Sequence, residues 1–367
     1  MRRLPIENAK PGMVNASNIY SASGQNLLAK GLVLNEFYIE KLKTMGINSL
    51  YVQTGIADDV VPPEIISEER RVEMVRTVNQ VYASLESNRG LNTRTIQLLV
   101  SRVLDDIMSN PEVMIHLIDI RAYDDYTFNH SINVCLISLM VGVTLGYTQP
   151  QLRELGIGAL LHDVGRTKIP YEVFNKPGPL TPEEYDEVKR HTVYGFEILR
   201  KYFELSLLSS HVAYQHHERC DGSGYPRGLT GKEIHEYSRI VAVVDVYDAM
   251  LADRAYRPAV TSFQALNEIK RLAGENRLDP GVVAALVKNI AVYPVGSIVQ
   301  LSNGDIGVVL AVSKRAQDRP LVRRILDSTG GMLKDDSQID LAANPDLRID
   351  QVFEDEETYS NIRKMIK

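Results

Sequence analysis

The chain has 367 residues, which is enough for two or three domains rather than one compact core. Its composition, 44% hydrophobic and 24% charged, is that of a folded globular protein and excludes a low-complexity chain. The formal net charge of −6 argues against affinity for a nucleic acid polymer or an anionic membrane surface, so an anionic ligand would have to be held by a local group of cations.

The first two zones of the chain differ in their patterning. Residues 1–56 alternate short apolar pieces with turn residues, which predicts a small strand-rich N-terminal module containing one short helix at about 37–45. In residues 57–110 apolar side chains recur at spacings of three and four with a break at 89–92, which predicts two amphipathic helices. These helices form either a connector or a dimerisation surface, and they are the candidate contact of a homodimer.

The second half of the chain has two further zones. Residues 111–293 are patterned as helix after helix with short loops. Within them the longest apolar run, residues 134–147, is too short to span a bilayer and predicts a buried core helix. Residues 294–367 carry a hairpin signal at 303–305 and predict a small β-rich module closed by a C-terminal helix. The predicted fold class is mainly α, with an all-helical core between two small strand-containing modules.

The cysteine content and the first residues of the chain indicate in which cellular compartment the protein is expected. The two cysteines, Cys135 and Cys220, are far apart in sequence and give no disulfide framework. The first residues lack the apolar stretch of a signal peptide, and no segment is long enough for a membrane span. The sequence therefore predicts a cytoplasmic protein.

Histidines are concentrated in the helical zone. The chain has eight, and six lie within 88 residues: His130, His162, His191, His211, His216 and His217. Helical spacing puts His130 on one stripe with Val134 and Ile137, and it puts His191 on another with Ile198. His162 closes a predicted helix beside Asp163, and the pair at 216–217 closes another. Five imidazoles are therefore expected to point inward.

Carboxylates share these apolar faces, since Asp163 adjoins His162 and Asp245 shares one helix face with Asp248. A lone histidine on such a face is usually structural, but burying unpaired carboxylates costs several kcal/mol, and a bound cation would satisfy the whole group. Imidazole and carboxylate ligands without thiolate suit iron, manganese or zinc. Asp248 is either a ligand or, as we favour, a partner that orients a ligand histidine. His116, His211 and His235 receive no role.

Two runs resemble a known family. The segment Leu161-His162-Asp163-Val164-Gly165 resembles the HD motif of HD-domain phosphohydrolases, and residues 216–226 resemble the HHExxDGxGYP signature of the HD-GYP subfamily. The resemblance covers residues 112–290, about half of the chain. It implies that 111–293 is an HD-GYP catalytic domain that hydrolyses cyclic di-GMP to linear pGpG and in some members on to GMP.

The resemblance also implies a ligand set for two divalent metal ions, with iron or manganese expected. One ion would be bound by His130, His162, Asp163 and Asp245. The other would be bound by Asp163, His191, His216 and His217, so Asp163 would bridge the two. Some members hold a third ion through a glutamate four residues before the first histidine. Tyr126 stands at that position here, so two ions are expected.

Substrate contacts are implied by the same resemblance. His162, Asp163 and Arg166 are the expected catalytic residues, and substrate would contact Arg166, Tyr225, Arg254 and Arg257. Arg166 replaces the usual family lysine: an arginine can clamp a phosphate bidentately but does not donate a proton at neutral pH. Lys168 or a metal-bound water would then supply that proton. Without the resemblance, Arg254 and Arg257 are equally explained as the solvated end of a helix.

Three functions remain open on these residues. In the first, water bridging two metals is ionised near neutral pH and attacks the phosphodiester of cyclic di-GMP. In the second, Arg166 leaves a catalytically weak domain that senses cyclic di-GMP. In the third, the substrate is a related nucleotide such as cyclic GMP-AMP. Turnover measurements across a substrate panel separate the three.

Overall fold

The computed structural model describes the chain except residues 1, 22–24, 46, 48, 57, 111–125, 175, 177, 252–259, 261, 334–336, 354–355 and 367. Helices dominate its middle, and a five-stranded antiparallel sheet lies near its C-terminal end. None of the helices in the described ranges is long and apolar enough to cross a membrane.

The N-terminal module consists of two short antiparallel strand pairs and one helix. Its elements are β1 (Arg2–Pro5), β2 (Ile19–Tyr20), β3 (Asn26–Leu28), α1 (Glu36–Thr44) and β4 (Ser49–Val52). Strand β1 pairs with β4, and β2 pairs with β3. Helix α1 begins after Asn35, whose side chain accepts a hydrogen bond from the backbone N–H of Tyr38 and so satisfies a free helix-end donor. The apolar side chains of this module form a core of their own.

The helical region runs from α2 to α12. Its helices are α2 (Glu68–Glu86), α3 (Thr93–Ser109), α4 (Tyr126–Thr144), α5 (Gln149–Leu160), α6 (Tyr171–Phe174), α7 (Pro182–Lys189), α8 (His191–Leu199), α9 (Leu207–Gln215), α10 (Glu236–Leu251), α11 (Ser262–Gly274) and α12 (Pro280–Val287). Helix α4 contacts α5, α10 and α12, and residues 134–141 are buried, as the apolar run predicted. Helix α4 is apolar on nearly all sides because these helices cover it on several faces.

Helices α2 and α3 share this core. The buried side chains of Met74, Val78, Ile96 and Val103 lie in one continuous apolar cluster with those of α4, α5 and α10. Helix α2 also packs against the 3-10 turn Val164–Lys168. The amphipathic stripes that predicted two helices in residues 57–110 are therefore buried within the chain itself.

The C-terminal module is a sheet with strand order β8-β7-β6-β5-β9. Its elements are β5 (Ile298–Leu301), β6 (Ile306–Ser313), β7 (Ala316–Leu326), β8 (Gln338–Asp340), β9 (Ile349–Phe353) and the terminal helix α13 (Glu356–Ile366). Strands β5 and β6 form the hairpin expected around residues 303–305. Ile56 and Val60, from the segment before α2, are buried against Tyr359 and Ile362 of α13. This segment therefore joins the N-terminal module to the C-terminal one.

Candidate metal centre

The predicted metal ligands lie at the ends of helices or on their inward faces. His130 is on α4 and Asp245 is on α10, while His191 is the first residue of α8. Helix α5 ends at Leu160, and the following turn carries His162 and Asp163. His216 and His217 follow the last turn of α9. Five separate helix segments thus converge on one point.

Gly165 permits the close approach of two of these segments. A Cβ atom at Gly165 would lie 1.9 Å from the carbonyl oxygen of His191 and 2.4 Å from the backbone N of Gly195. No side chain fits in that space, so only glycine lets the turn with Asp163 pack directly on α8. This contact sets the separation of Asp163 and His191.

The first donor group surrounds one oxygen of Asp163. His191 Nε2 lies 3.5 Å and His216 Nε2 lies 3.8 Å from Asp163 Oδ1, and the two imidazole nitrogens are 3.3 Å apart. His217 completes the group, whose ligand atoms all lie within 4.8 Å of one another. These are the four residues expected to bind the second ion.

The second donor group faces the other oxygen of the same carboxylate. His162 Nε2 lies 3.2 Å and His130 Nε2 lies 3.8 Å from Asp163 Oδ2. His130 Nε2 is also 3.1 Å from Asp245 Oδ1, and His130, His162 and Asp245 form a second cluster of ligand atoms. The structure thus places Asp163 between two adjoining donor groups.

Hydrogen bonds at Nδ1 fix the orientation of the imidazoles. Nδ1 of His162 is 2.8 Å from the carbonyl oxygen of Ala159, and Nδ1 of His191 is 2.6 Å from that of Val188. His216 Nδ1 faces two backbone carbonyls in the same way. A carbonyl can only accept, so each Nδ1 carries the proton and each Nε2 presents a lone pair to the centre.

Asp248 orients the fourth imidazole. Its Oδ2 lies 2.7 Å from His130 Nδ1, and its Oδ1 accepts a hydrogen bond from Asn133 Nδ2 at 3.0 Å. All three side chains are buried. A carboxylate behind a histidine in this way fixes the ring and raises its basicity as a ligand. Asn133 is one helical turn beyond His130, and that spacing is the signal by which it could have been predicted.

Buried polar atoms without partners indicate what the centre binds. Among the described residues, Oδ1 of Asp163 and Nε2 of His162 are buried and have no hydrogen-bond partner, while Oδ2 of Asp163 forms an ion pair with Arg166 Nη2 at 2.7 Å. Neutral imidazole and carboxylate are common ligands of divalent transition metals, and such ions would satisfy these atoms together. The residues present therefore fit a divalent metal site.

The protonation states of the residues at the centre favour cation binding. Burial alone would raise the pKa of Asp163, but Arg166 and His162 outweigh it and hold the pKa well below its ordinary value. Burial lowers the pKa of His191, lowers that of His216 well below its usual range, and lowers that of His217 to about 3. At neutral pH these carboxylate and imidazole groups are therefore already in the protonation states that bind metal.

The same shifts predict acid sensitivity of the metal-free protein. His191, His216 and His217 have folded pKa values below the unfolded value of 6.5, so the unfolded chain binds more protons as the pH falls through 6.5. Each buried histidine should then cost on the order of 1 kcal/mol of stability between pH 7.5 and 5.5, and the three together up to about 4 kcal/mol. Urea unfolding of chelator-treated protein at these two pH values measures the loss. An unchanged free energy of unfolding would show that these imidazoles are not buried in neutral form.

The loop after His217 is held by a buried carboxylate. Glu218, only 1% exposed, accepts hydrogen bonds from the backbone N–H groups of Arg227 and Leu229. Tyr225 in this loop stacks on the ring of His217 with centroids 4.7 Å apart. Glu218 belongs to the recognised signature, but no role for it was predicted, since its partners are backbone groups nine and eleven residues away.

The structure describes some of the other residues considered in the sequence analysis and leaves two of them outside its described ranges. Arg166 Nη2 lies 2.7 Å from Asp163 Oδ2, at the centre itself. Lys168 is exposed on the same turn. Arg254 and Arg257 lie outside the described residues. His211 lies near the rings of Phe196 and Tyr214 and belongs to neither donor group.

Comparison with known proteins identifies a matching domain family and a similar fold. Residues 112–282 match the HD domain family, and residues 298–361 match a KOW domain associated with HD domain. A cyclic di-GMP phosphodiesterase of Pseudomonas aeruginosa is 35% identical over 247 residues, which cover 67% of this chain and 59% of that protein. A 3'3'-cGAMP-specific phosphodiesterase of Vibrio cholerae is 34% identical over 190 residues, which cover 52% of this chain and 43% of that protein.

The chain thus spans between 43% and 59% of the length of these two curated relatives. Among solved structures, an HDG"Y"P protein of Bdellovibrio bacteriovorus aligns with a TM-score of 0.51 at 18% identity. The alignment covers 77% of this chain and 97% of that one, and it shows a common fold.

Proposed function

This chain belongs to the HD-GYP branch of the HD-domain family, and we propose that it hydrolyses cyclic di-GMP through divalent metal ions bound at this centre. The observation that carries the proposal is the single buried carboxylate of Asp163, whose two oxygens face two adjoining groups of ligand atoms. That arrangement suits two ions sharing one bridging ligand. Iron or manganese is the proposed metal, since both accept mixed imidazole and carboxylate ligands.

Phosphodiesters are anionic and react slowly with water, so the site has to supply both a nucleophile and charge stabilisation. Divalent ions bound here would polarise the phosphoryl oxygens and lower the pKa of an attacking water. The chain's own contribution is orientation. Backbone carbonyls and Asp248 hold the imidazoles in place, so little reorganisation is needed during the reaction.

Substrate binding would involve the rim of the centre. Tyr225, half-buried and stacked on His217, offers a ring face to a guanine base and a hydroxyl to a phosphate. Arg166 offers a guanidinium that stays charged at any working pH, so it would pair with a phosphate oxygen without donating a proton. The leaving oxygen would then take its proton from Lys168 or from water. Arg254 and Arg257 stay proposed phosphate contacts.

Two other functions stay in competition. The similarity to a 3'3'-cGAMP-specific enzyme favours a mixed cyclic dinucleotide as the second candidate substrate. The third candidate function is a slow domain that senses cyclic di-GMP. The contact of Arg166 with Asp163 leaves this function open. Cyclic di-GMP is preferred because the Pseudomonas aeruginosa enzyme matches at higher identity over a longer part of the chain.

The testing experiment is anaerobic purification, elemental analysis, and turnover of cyclic di-GMP and 3'3'-cGAMP with Mn²⁺ or Fe²⁺ present. We expect close to two ions per chain and faster hydrolysis of cyclic di-GMP. Faster hydrolysis of 3'3'-cGAMP would assign the second candidate. Tight binding of cyclic di-GMP by the metal-loaded protein without turnover would assign the sensor, and a protein that binds no metal would contradict the proposal.

Chain organisation is part of the proposal. The four segments 1–56, 57–110, 111–293 and 294–367 are proposed as modules, with the second packed into the core of the third. A cytoplasmic homodimer through α2 and α3 stays a proposal; since the apolar stripes of both helices are buried within the chain, such a contact would have to use their exposed residues. Sedimentation of the purified protein tests the dimer.

A further inference from the structure

The two oxygens of Asp163 have different surroundings. Among the described residues, the groups that face Oδ1 are neutral imidazoles, with His191 Nε2 at 3.5 Å. On the Oδ2 side lies the guanidinium of Arg166, with Nη2 at 2.7 Å. Asp163 is fully buried, whereas the Arg166 side chain is 18% exposed, so the arginine reaches the carboxylate from the solvent side. A permanent positive charge therefore contacts Oδ2 directly, whereas the described groups that face Oδ1 are uncharged.

The occupied oxygen belongs to the donor group of His130, His162 and Asp245. Its distance to His162 Nε2 is 3.2 Å, so a cation bound by this group would contact the same oxygen as the guanidinium. Two cations repel one another at such a short separation, and the local dielectric is low because the group is buried. The donor group on the Oδ1 side has no such competitor among the described residues.

We infer that Arg166 is an internal counter-ion that competes with metal for the Oδ2 side of Asp163 and makes the two metal positions unequal in affinity. The inference rests on the proposed metal centre and adds the order in which it fills. Metal binds first on the Oδ1 side, with His191, His216 and His217. Binding on the Oδ2 side follows and displaces Arg166 from the carboxylate.

Arginine suits this function better than lysine, because a guanidinium cannot lose its proton to relieve the repulsion. Once displaced, it lies at the solvent edge of a centre that is ready to bind a phosphate. The second metal ion would therefore both complete the centre and release its phosphate clamp. At low metal concentration the centre would be half-filled, and the clamp would stay bound to Asp163.

The test is titration of chelator-treated protein with Mn²⁺ alone, followed by electron paramagnetic resonance of the free ion, without substrate. Wild type should show two unequal binding steps. In Arg166→Met the weaker step should tighten about 5- to 150-fold, the range of a typical coupling between two sites, while the tighter step stays nearly unchanged. The matched control is Lys168→Met, which removes one positive charge from the exposed part of the same turn and should change neither step more than about twofold.

Removing Arg166 leaves Asp163 buried without its counter-ion, so the metal-free variant should melt at a lower temperature, and Mn²⁺ should restore most of the loss. If Arg166→Met does not fold without metal, Arg166→Gln, which keeps hydrogen-bond donors and removes the charge, replaces it in the titration. Equal tightening by Arg166→Met and Lys168→Met would show a general charge effect and overturn the inference, as would two equal steps in wild type. If no protein binds Mn²⁺, the proposed metal centre itself fails, which is a different result from two equal steps.

Discussion

Replacing Asp163 with alanine should abolish metal binding and reduce turnover by about a thousandfold or more, because one carboxylate serves both donor groups. Its Oδ1 faces His191 and His216, and its Oδ2 faces His162 and His130. No other described carboxylate belongs to the first group, so that group would keep only imidazole ligands. Elemental analysis and turnover of cyclic di-GMP by the same protein preparation measure both effects.

Two further variants make this result specific. Asp186→Ala removes a carboxylate that is 72% exposed on α7 and should leave metal content and turnover at the wild-type level. Asp248→Asn keeps the shape of the group behind His130 but removes its charge, and it should weaken metal binding by about 10- to 100-fold. If Asp163→Ala retained two ions per chain, the bridging assignment would be wrong.

Gly165→Ala should destabilise the protein by about 3 kcal/mol or prevent its folding, although it adds only one methyl group. The added carbon would lie 1.9 Å from a backbone carbonyl oxygen and 2.4 Å from a backbone nitrogen, and backbone cannot rotate away as a side chain can. Relief requires the turn carrying Asp163 to move away from α8. Metal content should fall together with stability, since His191 moves relative to Asp163.

The control is Gly274→Ala at the end of α11. Nothing lies within 4 Å of a Cβ atom at Gly274, so this variant should stay within about 1 kcal/mol of wild type. Urea unfolding and elemental analysis of both variants decide the matter. A Gly165→Ala protein with wild-type stability and wild-type metal content would show that the turn does not need its close contact with α8.

Much of the site could be predicted from the sequence, because it depends on local periodicity and on a recognisable motif. Helical spacing predicted that His130 and His191 point inward. The adjacent pair His162-Asp163 predicted a carboxylate among the inward-pointing imidazoles. The structure brings together all seven expected metal ligands. Their roles as ligands stay a proposal until metal is measured.

The features that escaped prediction depend on contacts between distant segments. The backbone contact of Gly165 with α8 joins segments that are too far apart in sequence for a local rule to relate them. The side of Asp163 on which Arg166 lies depends on a side-chain direction that no spacing encodes. The burial of α2 and α3 among the helices that carry the expected metal ligands could not be predicted either, because an amphipathic stripe does not indicate which surface covers it.

The burial of α2 and α3 limits where this chain can be divided. Met74 and Val78 of α2 and Val103 of α3 are essentially inaccessible to solvent in the same cluster as α4 and α5. A fragment beginning at residue 111 would expose the faces that these helices cover, and exposed apolar patches of that kind lead to aggregation. In evolutionary terms, we expect α2 and α3 to be inherited together with α4 and α5, because recombination between α3 and α4 would separate the side chains of one core.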